Sequence, residues 1–343
     1  MRICYVYPRF TGLFGGERLV LSLASQSARA GNEVALYTHK FSEACTPILD
    51  KRVRLVQTGF IPTGSHNLDS LLDFIFMPVL CARISGRFDI LHAMQWQSAP
   101  ASIFARGKAG VLIYGCNEPP RAFYDLEEET RASMNFAGRL AFPLVAPVVR
   151  ALDKFFVKKF GGIISNSEWT AAQAEKIYGR KSVIICPGVE KKRFAGITKN
   201  DARRRLGMPQ DATIFLSVSK LHRRKRVDEA MRVFGRRKEK NKHFLVVGSG
   251  PELKNLSALA SKIHGVRMVG AVEEVELPLY YEAADYFIFT AKNEPFGLAP
   301  LEAKAAGCKI LPKDFRRPII SWHAHAAAVL SIYKNMLQKR RLQ

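Results

Sequence analysis

Long apolar runs are missing from this 343-residue sequence. None reaches the roughly 18 to 20 residues that cross a bilayer, so a soluble or peripheral chain is expected. The opening "MRICYVYPRF" reads as a strand whose apolar part is too short for a secretory signal. Cysteine is sparse: Cys4, Cys45, Cys81, Cys116, Cys186 and Cys308 follow neither a metal-ligand nor a disulfide-framework spacing, which points to a reducing cytosol. Acid is sparse as well. Only 30 Asp and Glu face 53 Lys and Arg, a net charge of +23, which favours nucleic acid, phosphorylated metabolites or an acidic membrane as partner. There is no internal repeat, no low-complexity segment and no Asp-x-Asp pair. A dinucleotide fingerprint is also missing, because "GSGPEL" (248–253) lacks its third glycine and lies in the wrong half for a first βα turn. That argues against a Rossmann dehydrogenase.

The length suits two domains of about 150 residues each, and hence a cleft. Short β-rich segments alternate with amphipathic helical ones, the pattern of parallel α/β sheets. In the first half the strand candidates are "RICYVY", "EVALYT", "VRLVQ", "DILHAM", "GVLIYG" and "GIISN". In the second they are "VIICP", "TIFLSVS", "HFLVVG", "VRMVG", "YFIFT" and "KIL". Pro-Gly punctuation and a charged stretch at 186–207 interrupt the alternation, so the expected domains are 1–186 and 187–343.

Ligands of such sheets bind beyond the carboxyl ends of strands, where helix N-termini attract anions. Three loops there stand out. Gly15 and Gly16 follow the first strand and allow close approach of a phosphate or sugar, although a plain strand-to-helix turn uses the same residues. Lys220 and Lys225 follow "TIFLSVS" and can neutralise a diphosphate; they begin the basic run 220–242, with eleven basic and three acidic residues, whose plain reading is a solvated face. After "YFIFT" comes "NEPFGLAPLEAKAAG" (293–307), with Glu294 just before a helix and Glu302 within it. Its plain reading is a capped surface helix.

"EPFGLAPLEAKAAG" resembles the Glu, seven residues, Glu signature of the large retaining glycosyltransferase family 4, group 1, whose fold is GT-B. "GGERLVLSLASQSARAGNEVALYT", "IISNSEWTAAQAEKIYG", "VIICPGVEKKRF" and "VGSGPEL" are similar to further segments of that family, and the resemblance runs from Met1 to about Leu311. It implies two Rossmann-like doubly wound parallel-sheet domains facing across a cleft, an acceptor-side domain first and a nucleotide-sugar domain second. It implies that Glu294 lies against the donor sugar and Glu302 hydrogen-bonds the ribose. Lys225 would hold the diphosphate, with Lys220 where the family usually has Arg. Amides of Phe296, Gly297 and Leu298 would face the donor phosphate and sugar. Gly250 would belong to the donor site, and Gly15 and Gly16 would approach the diphosphate from the first domain.

"YGCNEPPRAFYD" (114–125) resembles a mannosyltransferase-like segment, with Asn117 where a sugar-contacting His usually stands. Arg121 and Asp125 are expected to shape the acceptor site or to form a loop salt bridge. His92 is either an acceptor contact or a satisfied core histidine. The tail departs from the family. It carries eight basic residues from Lys309 on against one acid and lacks the usual "G-G-x-x-E" loop, so a truncated second domain is expected, or a replacement amphipathic helix at 323–337 lying on a membrane.

The activity implied is transfer of a hexose, mannose above others, from a nucleotide-sugar such as GDP-mannose to a lipid-linked or polysaccharide acceptor in cell-envelope polysaccharide biosynthesis. No cofactor and no metal ion are expected. The alternative is an inactive homologue or a basic binding protein reusing the fold; no nucleic-acid module is recognisable. The segment 134–162 mixes apolar residues with Arg139, Arg150, Lys154, Lys158 and Lys159, which suggests attachment to an anionic, cytoplasmic membrane face.

Overall fold

The computed structural model describes residues 1–59, 63, 66–312, 315 and 317–342. They form two compact units: Met1–Pro187 with Trp322–Gln343, and Gly188–Ser321.

The first unit contains β1 (Arg2–Val6), the two-residue β2 (Arg9–Phe10), α1 (Gly15–Arg29), β3 (Glu33–Thr38), β4 (Lys40–Phe41), β5 (Arg54–Gln57), α2 (His66–Ala82) and β6 (Phe88–Met94). It continues with α3 (Ala101–Phe104), β7 (Ala109–Cys116), α4 (Glu127–Ser133), α5 (Phe136–Lys158), β8 (Gly162–Ser165), α6 (Glu168–Tyr178) and β9 (Val183–Ile184). Seven strands, all parallel, run in the order β5-β3-β1-β6-β7-β8-β9. The central strands are apolar almost without interruption because helices cover both faces of such a sheet; four of the five residues of β1 are buried. Order reverses between β1 and β6, where Tyr5 lies beside His92.

The second unit contains α7 (Lys199–Arg205), β10 (Thr213–Val218), α8 (Val227–Gly235), β11 (Lys242–Val247), α9 (Leu253–Ala260), β12 (Val266–Gly270), α10 (Leu277–Ala283), β13 (Tyr286–Ile288), α11 (Leu298–Ala305) and β14 (Lys309–Leu311). Its parallel sheet runs β12-β11-β10-β13-β14 and reverses between β10 and β13. Both units therefore share the doubly wound order, and in open sheets of this kind ligands bind beyond the carboxyl ends of the two strands where order reverses.

Two expectations need correction. "VIICP" does not begin the second sheet: Val183 and Ile184 pair with Ile164 and Ser165, respectively, at the edge of the first, because the chain leaves α6 still beside β8. Nor do residues 322–343 belong to a truncated second domain. They form α12 (Trp322–Arg341), which packs in the first unit on α1 and β7 and buries Trp322, Ala326, Val329, Leu330 and Tyr333. A large apolar side chain removed from water contributes about 1.5 to 3 kcal/mol before ordering costs, so these anchors hold the helix to protein rather than leaving its apolar face for lipid. Among the described residues no helix is long and apolar enough to cross a membrane.

Candidate active site

In the second unit the loops after β10 and β13 leave the switch point together. The first loop ends in a short 3-10 turn, Arg223–Lys225, and Arg226 enters α8 with φ 51°. The second loop is tied to it by Thr290, whose Oγ1 donates to the carbonyls of Lys225 at 3.1 Å and Arg226 at 2.8 Å. That clamp brings the predicted pair into contact: Lys225 Nζ lies 2.8 Å from both Glu294 carboxylate oxygens. Each side chain is about one-fifth exposed. The ammonium has a third N–H and the carboxylate further lone pairs, so each can serve a ligand while paired.

Gly297, at φ 75°, caps α11; a Cβ there would meet Phe289 at 3.2 Å and Glu294 Cγ at 3.4 Å. Glycine thus lets the chain turn from the strand end into a helix whose first amides lie beside Glu294. Phe296 is buried under the Arg317 guanidinium, 5.0 Å from its ring centroid. Lys220 is exposed in the same loop as Lys225.

Gly250 acts through backbone packing. A Cβ on it would lie 2.6 Å from the Leu221 carbonyl oxygen, and one on Gly248 would lie 1.8 Å from that of Ser219. Leu221 N donates to Ser249 O at 2.8 Å and Glu252 N donates to Leu221 O at 3.0 Å. The glycines therefore let the turn after β11 seat the loop that carries Lys220 and Lys225.

Glu302 is 8% exposed and held from two sides. Arg193 Nη1 donates to Oε1 at 3.2 Å and Tyr281 Oη donates to Oε2 at 3.0 Å. Arg193 also pairs with Glu274. Burial and the neighbouring Glu302 carboxylate push the Tyr281 hydroxyl well above its ordinary pKa. Arg193, Tyr281, Glu274 and Thr290 had no role assigned from sequence. A signal existed for Arg193 alone: a carboxylate on the buried side of a short helix requires a cation, and "VEKKRF" offered several.

The first unit distributes its candidates differently. Gly15 and Gly16 open α1, and a Cβ on Gly16 would meet Tyr7 Oη at 3.1 Å. Asn117 follows β7; its carbonyl accepts from Asn166 Nδ2 at 2.9 Å, and its own Nδ2 is buried without a partner among the described residues. Arg121 is buried, grips Asp125 through Nε at 2.9 Å and Nη2 at 2.6 Å, and lies 4.8 Å from the centroid of the Trp169 ring. Of the two readings of this pair, the loop salt bridge is the one observed.

His92 is 1% exposed and its Nδ1 lies 2.6 Å from Tyr333 Oη. Burial, with His325 nearby, pushes its pKa down to about 3. It is a neutral core histidine under α12. Its partner Tyr333 comes from the tail read as truncated, so sequence spacing gave no hint of the contact.

The glycosyltransferase family 4 model matches residues 15–193 and the glycosyl transferases group 1 model matches residues 198–317. Among curated relatives, D-inositol 3-phosphate glycosyltransferase 2 of Catenulispora acidiphila is 26% identical over 331 residues, covering 88% of this chain and 74% of its own. The D-inositol 3-phosphate glycosyltransferase of Actinosynnema mirum is 26% identical over 330 residues, covering 88% and 76%. Sucrose-phosphate synthase of Thermosynechococcus elongatus superposes with a TM-score of 0.69 at 19% identity, over 99% of this chain and 94% of that one. WaaG, a glycosyltransferase involved in lipopolysaccharide biosynthesis, gives 0.65 at 17% over 99% and 90%. Anabaena HepE with UDP-glucose gives 0.65 at 15% over 99% and 98%. The fold is that of the GT-B enzymes, and this chain, a glycosyltransferase that moves a sugar from a nucleotide-sugar donor, belongs to glycosyltransferase family 4, group 1.

Proposed function

We propose that the chain is a retaining hexosyltransferase, with mannose as the sugar, GDP-mannose as the donor and a lipid-linked or polysaccharide acceptor of the cell envelope. The observation that carries it is the Lys225–Glu294 pair at the second unit's switch point, beside the first amides of α11. The ammonium and the amides supply the positive charge that a departing diphosphate requires, and Glu294 orients the sugar hydroxyls. Glu302, fixed by Arg193 and Tyr281, keeps lone pairs for a ribose hydroxyl. In the reaction proposed, the bond from the anomeric carbon to the phosphate oxygen breaks. The acceptor oxygen bonds to the same face of that carbon, and its proton passes to the departing phosphate.

No metal ion is assigned to this reaction, since Lys220, Lys225 and the helix amides can supply the positive charge that a divalent ion would otherwise bring. Sugar transfer measured with EDTA present tests this, and strict dependence on added Mg²⁺ overturns it. A thermal-shift screen with GDP, UDP and their sugars tests the donor: stabilisation by GDP and GDP-mannose is expected, and stabilisation by uridine compounds alone reassigns it.

Peripheral attachment to the cytoplasmic membrane face is supported by α5. Phe136, Leu140, Leu144 and Val148 are 83%, 70%, 77% and 57% exposed, a stripe of four-residue spacing on a helix whose other face is buried. Leu152 and Phe155 extend it toward Lys158 and Lys159. An apolar stripe ending in cations fits an anionic headgroup region.

A further inference from the structure

A second concentration of charge belongs to the first unit, on residues other than those of the loops that carry Lys220, Lys225 and Glu294. Arg87, Arg106, Lys159, Lys339 and Arg340 line an open pocket of about 780 Å³ in the first unit. Its floor is the amino-terminal ends of β7 and β8, where Met336 of α12 lies over Gly161 and Gly162; a Cβ on Gly162 would come within 2.8 Å of the Met336 methyl carbon. The five cations are exposed, and none has an acidic partner among the described residues. No acid lines the pocket. The neighbouring Lys108 shows what a committed cation looks like: its Nζ donates to the carbonyls of Cys81, Ala82 and Ile84 at 3.1, 3.2 and 2.7 Å.

Helix dipoles alone do not account for this. Lys159 caps the carboxyl end of α5, and Lys339 and Arg340 stand in the last turn of α12. Two helix ends supply roughly one negative charge together, against five positive ones. The remaining charge converges on a concavity of a volume ordinary for a ligand site.

We propose that this pocket is a second anion site that binds the phosphate groups of a ligand, a phosphomonoester or a pyrophosphate, apart from the donor site. Three arginines and two lysines around an open floor suit a ligand with several charged oxygens, since guanidinium groups bind phosphate in bidentate fashion and ammonium groups add point charge. The phosphate arrives either on a soluble molecule or on a lipid headgroup. Lys159 is also 5.3 Å from the ring centroid of Phe155, at the end of the exposed α5 stripe, and Arg106 follows the exposed Ile103 and Phe104. A headgroup could therefore be held while its chains stay beside apolar protein surface.

The test uses inorganic pyrophosphate by calorimetry and vesicles of phosphatidylcholine containing either phosphatidate or phosphatidylglycerol at matched surface charge. Pyrophosphate is expected to bind a Lys225→Ala variant, whose donor site is weakened, and to bind at least about tenfold more weakly once Arg106→Ser and Arg340→Ser are added. Both replaced side chains are exposed, and an unchanged melting curve checks the fold. A preference for phosphatidate that the double replacement removes assigns the phosphate to a lipid. Pocket-dependent pyrophosphate binding without that preference assigns it to a soluble ligand. If the double replacement changes neither measurement, the proposal is overturned, whether or not α5 docks on membranes.

Discussion

The two units share one strand order and differ in what they place at the reversal. In the first, His92 beside Tyr5 is buried, neutral and capped by Tyr333. In the second, the loops leaving the corresponding strands carry Lys225 and Glu294 in contact and partly open to water. Topology thus provides a place, and side-chain chemistry decides whether it becomes core or site. The difference follows from covering: α12 lies over the first unit's strands and excludes water, so an ionised histidine there would be too costly. The charges of the second unit persist because each has a partner and part of its solvent.

The sharpest way to break this contrast is to remove its charged half. Glu294→Ala is expected to lower turnover at least about a hundredfold, the low end for a lost electrostatic contact at the transition state, with little change in affinity for free nucleotide. Steady-state kinetics with nucleotide calorimetry check it. Unchanged turnover would remove Glu294 from the reaction.

Next in size, Glu302→Ala is expected to weaken nucleotide binding by about 1.5 to 3 kcal/mol, the scale of a hydrogen bond to a charged group. Arg193→Met should have a comparable effect on both nucleotide affinity and unfolding of the second unit, because it strands the Glu302 carboxylate. Normal affinity in both variants would show that the network serves folding alone.

The neutral half is tested by acid. Burial pushes His39, His92 and His325 down to about 4, 3 and 4, so below their ordinary values near 6.5 the unfolded chain binds their protons first and stability falls as pH falls. Asp73 and Asp153, raised to about 6 and 7, act oppositely, since the folded form takes their protons first. Near pH 5 three groups oppose two. The net loss is roughly 1.4 kcal/mol per pH unit, read from urea unfolding at pH 6 and 5. His325→Gln should flatten that slope; an unaltered slope contradicts the assignment.

The smallest effect concerns the outer surface. Leu144→Asp is expected to reduce co-sedimentation with anionic vesicles severalfold, about 1 kcal/mol, without altering transfer to a water-soluble acceptor. Wild-type protein that stays in the supernatant at low salt would remove membrane attachment altogether.

Much of the architecture was legible because parallel strands announce themselves. "EVALYT" coincides with β3, and each of the other quoted segments overlaps a strand, since burial on both faces demands continuous apolar residues. "VIICP" was legible as a strand but not as part of the first sheet. Pairing at an edge is a long-range choice that two residues do not encode. The same limit applies to the site. Glu294, Glu302 and Lys225 were visible from motif spacing, whereas Arg193, 109 positions from Glu302, was not.

Sequence alone determined what each segment could become. Periodicity, Gly-Pro punctuation and the two glutamates eight positions apart are local properties, fixed by backbone sterics and by the repeat of helix or strand. Only the tertiary structure decided which charges neutralise one another and which histidine is sealed from water. It turned Arg121 and Asp125 into a mutual pair, Gly248 and Gly250 into backbone contacts, and the basic tail into a helix of the first unit. Those outcomes depend on distances of a few ångströms between residues far apart in the chain, and electrostatic energy and burial are set by such distances rather than by order along the polymer.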